Sequence, residues 1–187
     1  MPFTFVSGNL ALDFAGTVKY RGTAPEDLLS SPVLLGEWVA AAGLVDSPPV
    51  VSEAEFARAI EVREAVYRLA RASVTGGRRS QNDVDVINAA AAAAPVTVVL
   101  TQAGVRREGT ADAVVADLAR AAATLLGGPP EARIRECEDP PCTRLFVDAS
   151  RAGSRRWCEM SGCGNRTKAA GFRARHSASP ASHGARR

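Results

Sequence analysis

The sequence predicts a mainly α N-terminal domain with one small β-hairpin, followed by a small C-terminal module built around cysteine. Two observations carry this. Residues 1–128 hold several segments of helical periodicity, most of them preceded by a start signal. All four cysteines fall within 27 residues, as Cys137-x4-Cys142, fifteen residues, then Cys158-x4-Cys163. That is two pairs of soft ligands on short loops, an arrangement able to hold one zinc ion tetrahedrally at about 2.3 Å. The predicted organisation is a helical domain over 1–128, a treble-clef-like zinc finger over 131–176 and a disordered basic tail over 177–187.

In the N-terminal part, Ser31 can cap a helix that begins at Pro32 and runs through Leu34, Leu35, Trp38 and Val39 to Gly43. Ser52-Glu-Ala-Glu55 is a capping box for a second helix reaching about Val74, ahead of the Gly76-Gly77 break. Asn82 can open a third, through Val84 and Ile87 into an alanine run that stops at Pro95. Val96–Leu100 is a β-branched strand signal, and Val105–Thr110 can pair with it. A fourth helix covers about Ala111–Leu126, and Gly127-Gly128-Pro129-Pro130 reads as a linker.

One charge in this domain is out of place. Phe56, Ile60, Arg63, Tyr67, Ala70 and Val74 share one helical stripe, so Arg63 sits on an apolar face. A buried guanidinium needs a carboxylate, and Asp13, in the apolar run Leu10–Phe14, is the expected partner. The functional alternative is a pocket in which Arg63 meets a small anionic effector.

The cysteines could instead form two disulfides. The N-terminus MPFTFVSGNLALDFAG lacks a basic n-region and carries Asp13 within its apolar stretch, so no secretory route is expected. No run of eighteen apolar residues predicts a membrane span. A cytoplasmic protein with paired cysteines favours metal over bridges. Four thiolates close the tetrahedron and leave no position for water, so the single zinc is expected to be structural. His176 and His183 follow the last cysteine and read as solvated side chains.

Local sequence gives the shape of the module. Cys137-Glu-Asp-Pro-Pro-Cys142 is a tight knuckle. Leu145–Val147 is a strand signal, and Arg155-Arg156-Trp157-Cys158 is expected to return beside it. Gly164–Ala170 starts a helix, with Ala169 and Phe172 expected to pack inward and Trp157 to join the small core.

Charge divides the chain at the same place. Residues 131–187 hold 12 Lys+Arg against 6 Asp+Glu, whereas residues 1–130 hold 11 against 14. A basic surface confined to one metal-fixed module points to phosphate binding. The expected nucleic-acid contacts are Arg155, Arg156, Asn165, Arg166, Lys168, Arg173 and Arg175. Arginine can grip guanine or phosphate with two parallel bonds, and asparagine can pair with adenine. Asn165 could equally cap the helix.

The stretch Cys137-x4-Cys142-Thr-Arg-Leu-Phe-Val-Asp-x-Ser, then Ser154-Arg-Arg-Trp-Cys158-x4-Cys163-Gly-Asn-Arg-x-Lys, resembles the bacterial CGNR zinc-finger family. The N-terminal run Gly8-Asn-Leu-Ala-Leu-Asp-Phe14, followed by Thr17-Val18, resembles the opening of the domain that precedes the finger in that family. The resemblance implies a stress-induced transcription regulator with Cys137, Cys142, Cys158 and Cys163 on one zinc. One position departs from the pattern: Gly16 stands where the family commonly has asparagine, so any polar role of that side chain is absent or supplied elsewhere.

No phosphate-binding glycine loop, dinucleotide fingerprint or histidine base in the folded body suggests an enzyme. The expected protein is a regulator that binds double-stranded DNA through its finger, with a sensing N-terminal domain and a homodimer to supply two half-sites. An RNA-binding or ribosome-associated zinc protein, or a zinc-folded protein-interaction module, are the alternatives.

Overall fold

The fold begins with an element that periodicity does not announce. In the computed structural model, which describes residues 3–129 and 133–177, α1 (Leu10–Ala15) is a short helix capped by Asn9, whose side chain accepts the Ala11 N–H at 2.9 Å. All of Ala11–Ala15 is buried, so no polar face marks a helical period. Two further short elements, β1 (Val18–Lys19) and β2 (Glu26–Asp27), then pair antiparallel.

The predicted helices follow, with the caps the sequence offers. α2 (Pro32–Ala41) starts at Ser31, which accepts the Leu34 N–H. α3 (Glu53–Thr75) has the full capping box: Ser52 Oγ accepts the Glu55 N–H at 3.3 Å, and the Glu55 carboxylate accepts the Ser52 N–H at 2.9 Å. It stops at Gly76, whose φ of 68° is the left-handed turn that glycine takes without strain. α4 (Gln81–Ala91) opens one residue before Asn82, with Ser80 as its cap. β3 (Thr97–Thr101) and β4 (Gly104–Glu108) form the expected hairpin, in the register Val98↔Arg107 and Leu100↔Val105. α5 (Ala111–Gly127) is capped by Thr110.

Helices α3, α4 and α5 pack on one another, and α1 lies against α3 and α5. Phe14 and Trp38, both essentially inaccessible, meet with ring centroids 5.2 Å apart. Truncating either to alanine costs about 3–5 kcal/mol in a core of this kind.

The finger's strands differ from expectation. β5 (Ile134–Glu136) and β6 (Leu145–Val147) pair antiparallel, Ile134 facing Val147 and Glu136 facing Leu145. The partner of Leu145–Val147 is therefore the segment before the first cysteine, not Arg155–Cys158. Pairing there places the knuckle in the hairpin's turn, and the Cys137 N–H extends the ladder to the Arg144 carbonyl at 3.0 Å. Arg155–Cys158 runs alongside through single bonds, such as Glu138 N–H to the Arg156 carbonyl at 2.9 Å.

The module closes with a π-helical turn (Met160–Gly164) that leads into α6 (Asn165–Ser177). Ala169 and Phe172 do not pack inward: both are exposed, Phe172 stacking instead on His176 with centroids 3.9 Å apart. The large apolar residue at the module's centre is Phe146, with Trp157 half-buried beside it. Leu145, on the other face of β6, belongs to the main core with α1 and α3. Residues 178–187, most of the tail expected to be disordered, lie outside the described residues. Among the described residues, no helix is long and apolar enough to cross a membrane.

Candidate metal centre and basic surface

The four cysteine sulfurs all lie within 4.8 Å of one another, although they come from the knuckle, the loop before Cys158 and the π-helical turn. Sγ of Cys142 and Cys158 are 3.9 Å apart, and those of Cys158 and Cys163 are 3.5 Å apart. A tetrahedron with metal–sulfur bonds of about 2.3 Å has edges of about 3.8 Å, so the set fits one zinc ion. None of the four is in a disulfide.

Electrostatics point the same way. Without a cation the sulfurs cannot ionise together. The Cys137 thiolate, accepting hydrogen bonds from Cys142 and Cys158, is held far below its usual range. Cys158 is pushed far up, first by its hydrogen bond with Cys137. Cys163 is pushed up to about 12, mainly by burial and then by the neighbouring Cys142 charge. A central dication removes that conflict, and three of the four sulfurs belong to buried residues.

Two buried aspartates hold the ligand loops. Asp139, inside the knuckle, accepts from Arg166 Nε at 2.9 Å and from the Thr167 hydroxyl at 3.2 Å, tying the start of α6 to the first cysteine pair. Arg166 also donates to Cys163 Sγ at 3.2 Å, which lowers the charge density on that ligand. Asp148 accepts the Ser150 hydroxyl at 2.6 Å and the Ser150 and Arg155 N–H groups at 3.0 and 3.1 Å. These bonds, the hydroxyl first, hold its carboxyl below the usual range. Neither aspartate was singled out from sequence, although Asp139 stands two residues after the first ligand.

The expected nucleic-acid residues fall into two groups. Arg155 is engaged within the fold: it donates to the carbonyls of Trp157 and Val6, both at 2.9 Å, and to that of Cys158, and lies over the Phe146 ring at 4.4 Å. Asn165 donates to the Ser161 carbonyl at 3.2 Å, bracing the helix start. Arg156 is exposed, paired with Glu138 at 2.6 Å and lying over Trp157 at 5.0 Å. Lys168, Arg173 and Arg175 are exposed along α6, which carries four cations and no carboxylate.

The expected pairing of Arg63 with Asp13 is corrected. Arg63, 3% exposed, makes two parallel bonds of 2.8 Å to Asp27 and one of 3.0 Å to Glu64. Asp27 enters because β1 and β2 fold it back over α3, and neither strand was visible in the pattern. Asp13 instead accepts the Val6 and Ser7 N–H groups and lies 3.5 Å from Arg144. Burial pushes the Asp13 carboxyl up, opposed by these bonds and by Arg144. Arg144 also fills the space beside Gly16. Its guanidinium donates to the Gly16 carbonyl at 3.3 Å and occupies the space a side chain there would enter, 3.0 Å from a Cβ at that position.

A helical domain joined to a four-cysteine finger with a basic outer helix defines the class, a zinc-finger protein. The chain belongs to the ABATE family, described as "Putative stress-induced transcription regulator", whose pattern matches residues 8–129, and the CGNR zinc finger pattern matches residues 133–176. No curated protein matches the chain.

Proposed function

We propose that this protein regulates transcription by binding double-stranded DNA through the outer face of its finger. One observation carries the reading: α6 projects from the metal centre with Arg166, Lys168, Arg173 and Arg175 and no acidic residue. A metal-rooted helix of that charge suits a phosphate-lined groove. Lys168, Arg173 and Arg175 are the proposed phosphate contacts, with Arg156 at the rim. Arg155 and Arg166 set the position of the helix and its loop.

A second reading, single-stranded nucleic acid or RNA, is favoured by Phe172, which is 56% exposed among these cations. Exposed aromatics beside arginine are stacking platforms for unpaired bases. The test is to offer the zinc-loaded chain a pool of random duplex DNA and structured RNA near physiological salt, and to sequence what it retains. A recurring duplex motif supports the first reading, and RNA enrichment the second. Lys168→Ala, Arg173→Ala and Arg175→Ala should each lower the slope of log affinity against log salt by about 1. A salt-independent affinity would sink both readings.

A further inference from the structure

The β3–β4 hairpin is exposed along its whole length, yet β3 reads Thr-Val-Val-Leu-Thr and carries no charge. Val98, Leu100 and Val105 are 62%, 84% and 47% exposed and share one face, since Leu100 opposes Val105 and residues two apart point the same way. A free strand without lysine, proline or a bulge is a template for another strand, and proteins normally blunt such edges.

The two edges of the hairpin are not equivalent. On β4, Arg107 donates its N–H to Asp46 at 3.0 Å and accepts the Asp46 N–H at 3.1 Å, so that edge is covered. Because Arg107 directs both groups away from β3, its partner Val98 directs its own away from β4, and by alternation Leu100 does too. Among the described residues no hydrogen bond engages those outward groups of Val98 and Leu100.

We infer that β3 is the dimerisation strand and that its occupant is β3 of a second copy of this chain. Thr-Val-Val-Leu-Thr is nearly a palindrome, so an antiparallel two-fold centred on Val99 sets Val98 opposite Leu100 and Thr97 opposite Thr101 of the second copy. The two residues with outward N–H and C=O groups then face each other, as a hydrogen-bonded pair requires. A two-fold through β4 would instead centre on Arg106 and set like charge against like charge. Pairing along β3 brings Val98 and Leu100 of one copy beside Leu100 and Val98 of the other, on the face that also carries Val105. The result is a four-stranded sheet across the two-fold axis. This goes beyond the nucleic-acid reading and holds or fails without it.

The test is the mass of the full zinc-loaded chain in solution across a concentration series, by sedimentation equilibrium. A dimer is expected. Val98→Lys with Leu100→Lys brings lysines directly opposite one another and should weaken association by about tenfold or more. Both side chains are exposed, so each copy keeps its fold, checked by circular dichroism. The register has its own readout. Val99 meets its own copy at a non-hydrogen-bonded position with Cα atoms about 4.5 Å apart, within disulfide range. Mild oxidation should therefore cross-link a Val99→Cys chain and leave a Thr101→Cys chain uncross-linked. A monomer at every concentration, a dimer untouched by the lysines, or cross-linking through position 101 instead of 99 would overturn the inference.

Discussion

Arg144, two residues beyond the second zinc ligand, lies 3.5 Å from the buried carboxylate of Asp13 in α1. The same guanidinium donates to the carbonyls of Thr4 at 3.2 Å and Gly16 at 3.3 Å. Around it, the Val147 N–H reaches the Ser7 carbonyl at 2.7 Å and the Arg21 N–H reaches Thr143 Oγ1 at 3.1 Å. The N-terminal segment and the root of the finger thus share one polar seam beside one apolar core. Whatever binds the finger acts on an element held directly against α1.

Replacing Arg144 by methionine keeps much of its volume but leaves Asp13 buried without its cation. Removing one partner of a buried pair costs about 3–5 kcal/mol, and the remaining bonds from Val6 and Ser7 should keep the loss near the lower figure. Chemical denaturation of the full chain measures it. A loss below about 1 kcal/mol, the worth of an exposed pair, would mean that Arg144 is merely packed there.

How far the sequence reveals this molecule follows from what each signal depends on. Caps are local chemistry, so Ser31 and Ser52 mark helix starts that the structure keeps. The cysteine spacing is also local, and it locates the metal site fully. The partners of Arg63 depend on a chain reversal between Val18 and Asp27, whose two-residue strands leave no period to read. Leu145–Val147 was legible as a strand, but its partner was not: Ile134–Glu136 reads Ile-Arg-Glu, too short and polar to compete with Arg-Trp-Cys on sequence alone. The fate of Arg155 was equally hidden, because an arginine engaged by carbonyls and one exposed at the surface look the same in one dimension.

The cluster of Glu64 with Arg21 and Arg63 makes a prediction about pH. Burial alone would raise the Glu64 carboxyl, but the hydrogen bonds and charge of Arg21, at 2.5 and 3.0 Å, and then of Arg63, outweigh it and hold it below its ordinary 4.5. A carboxyl whose pKa falls on folding stabilises the fold above its unfolded value. That contribution is lost as pH drops through the folded one. Glu64→Gln should therefore be less stable than wild type at pH 7, with the gap closing progressively below pH 4.5. Comparing the two chains at each pH cancels the acid release of metal, which both share. A gap that stays constant from pH 7 to the acid limit would show that charge on Glu64 is not its source.

Removing the metal should divide the finger along a line the sequence does not show. The π-helical turn and α6 are held by Cys163 and by the Asp139 contacts of Arg166 and Thr167, all of which depend on the closed ligand set. β6 is held differently, through Leu145 in the main core and the bond from Val147 to Ser7. Chelation at neutral pH, or Cys163→Ser, should therefore cost the helical signal of residues 160–177 while amide protection at Val147 and through α1 and α3 persists. Native-state hydrogen exchange with and without chelator resolves the two. Four thiols should become titratable as the ion leaves, since none is in a disulfide. Loss of protection in α1 and α3 together with α6 would instead make the metal a keystone of the whole chain, with Arg144 and Leu145 transmitting the collapse.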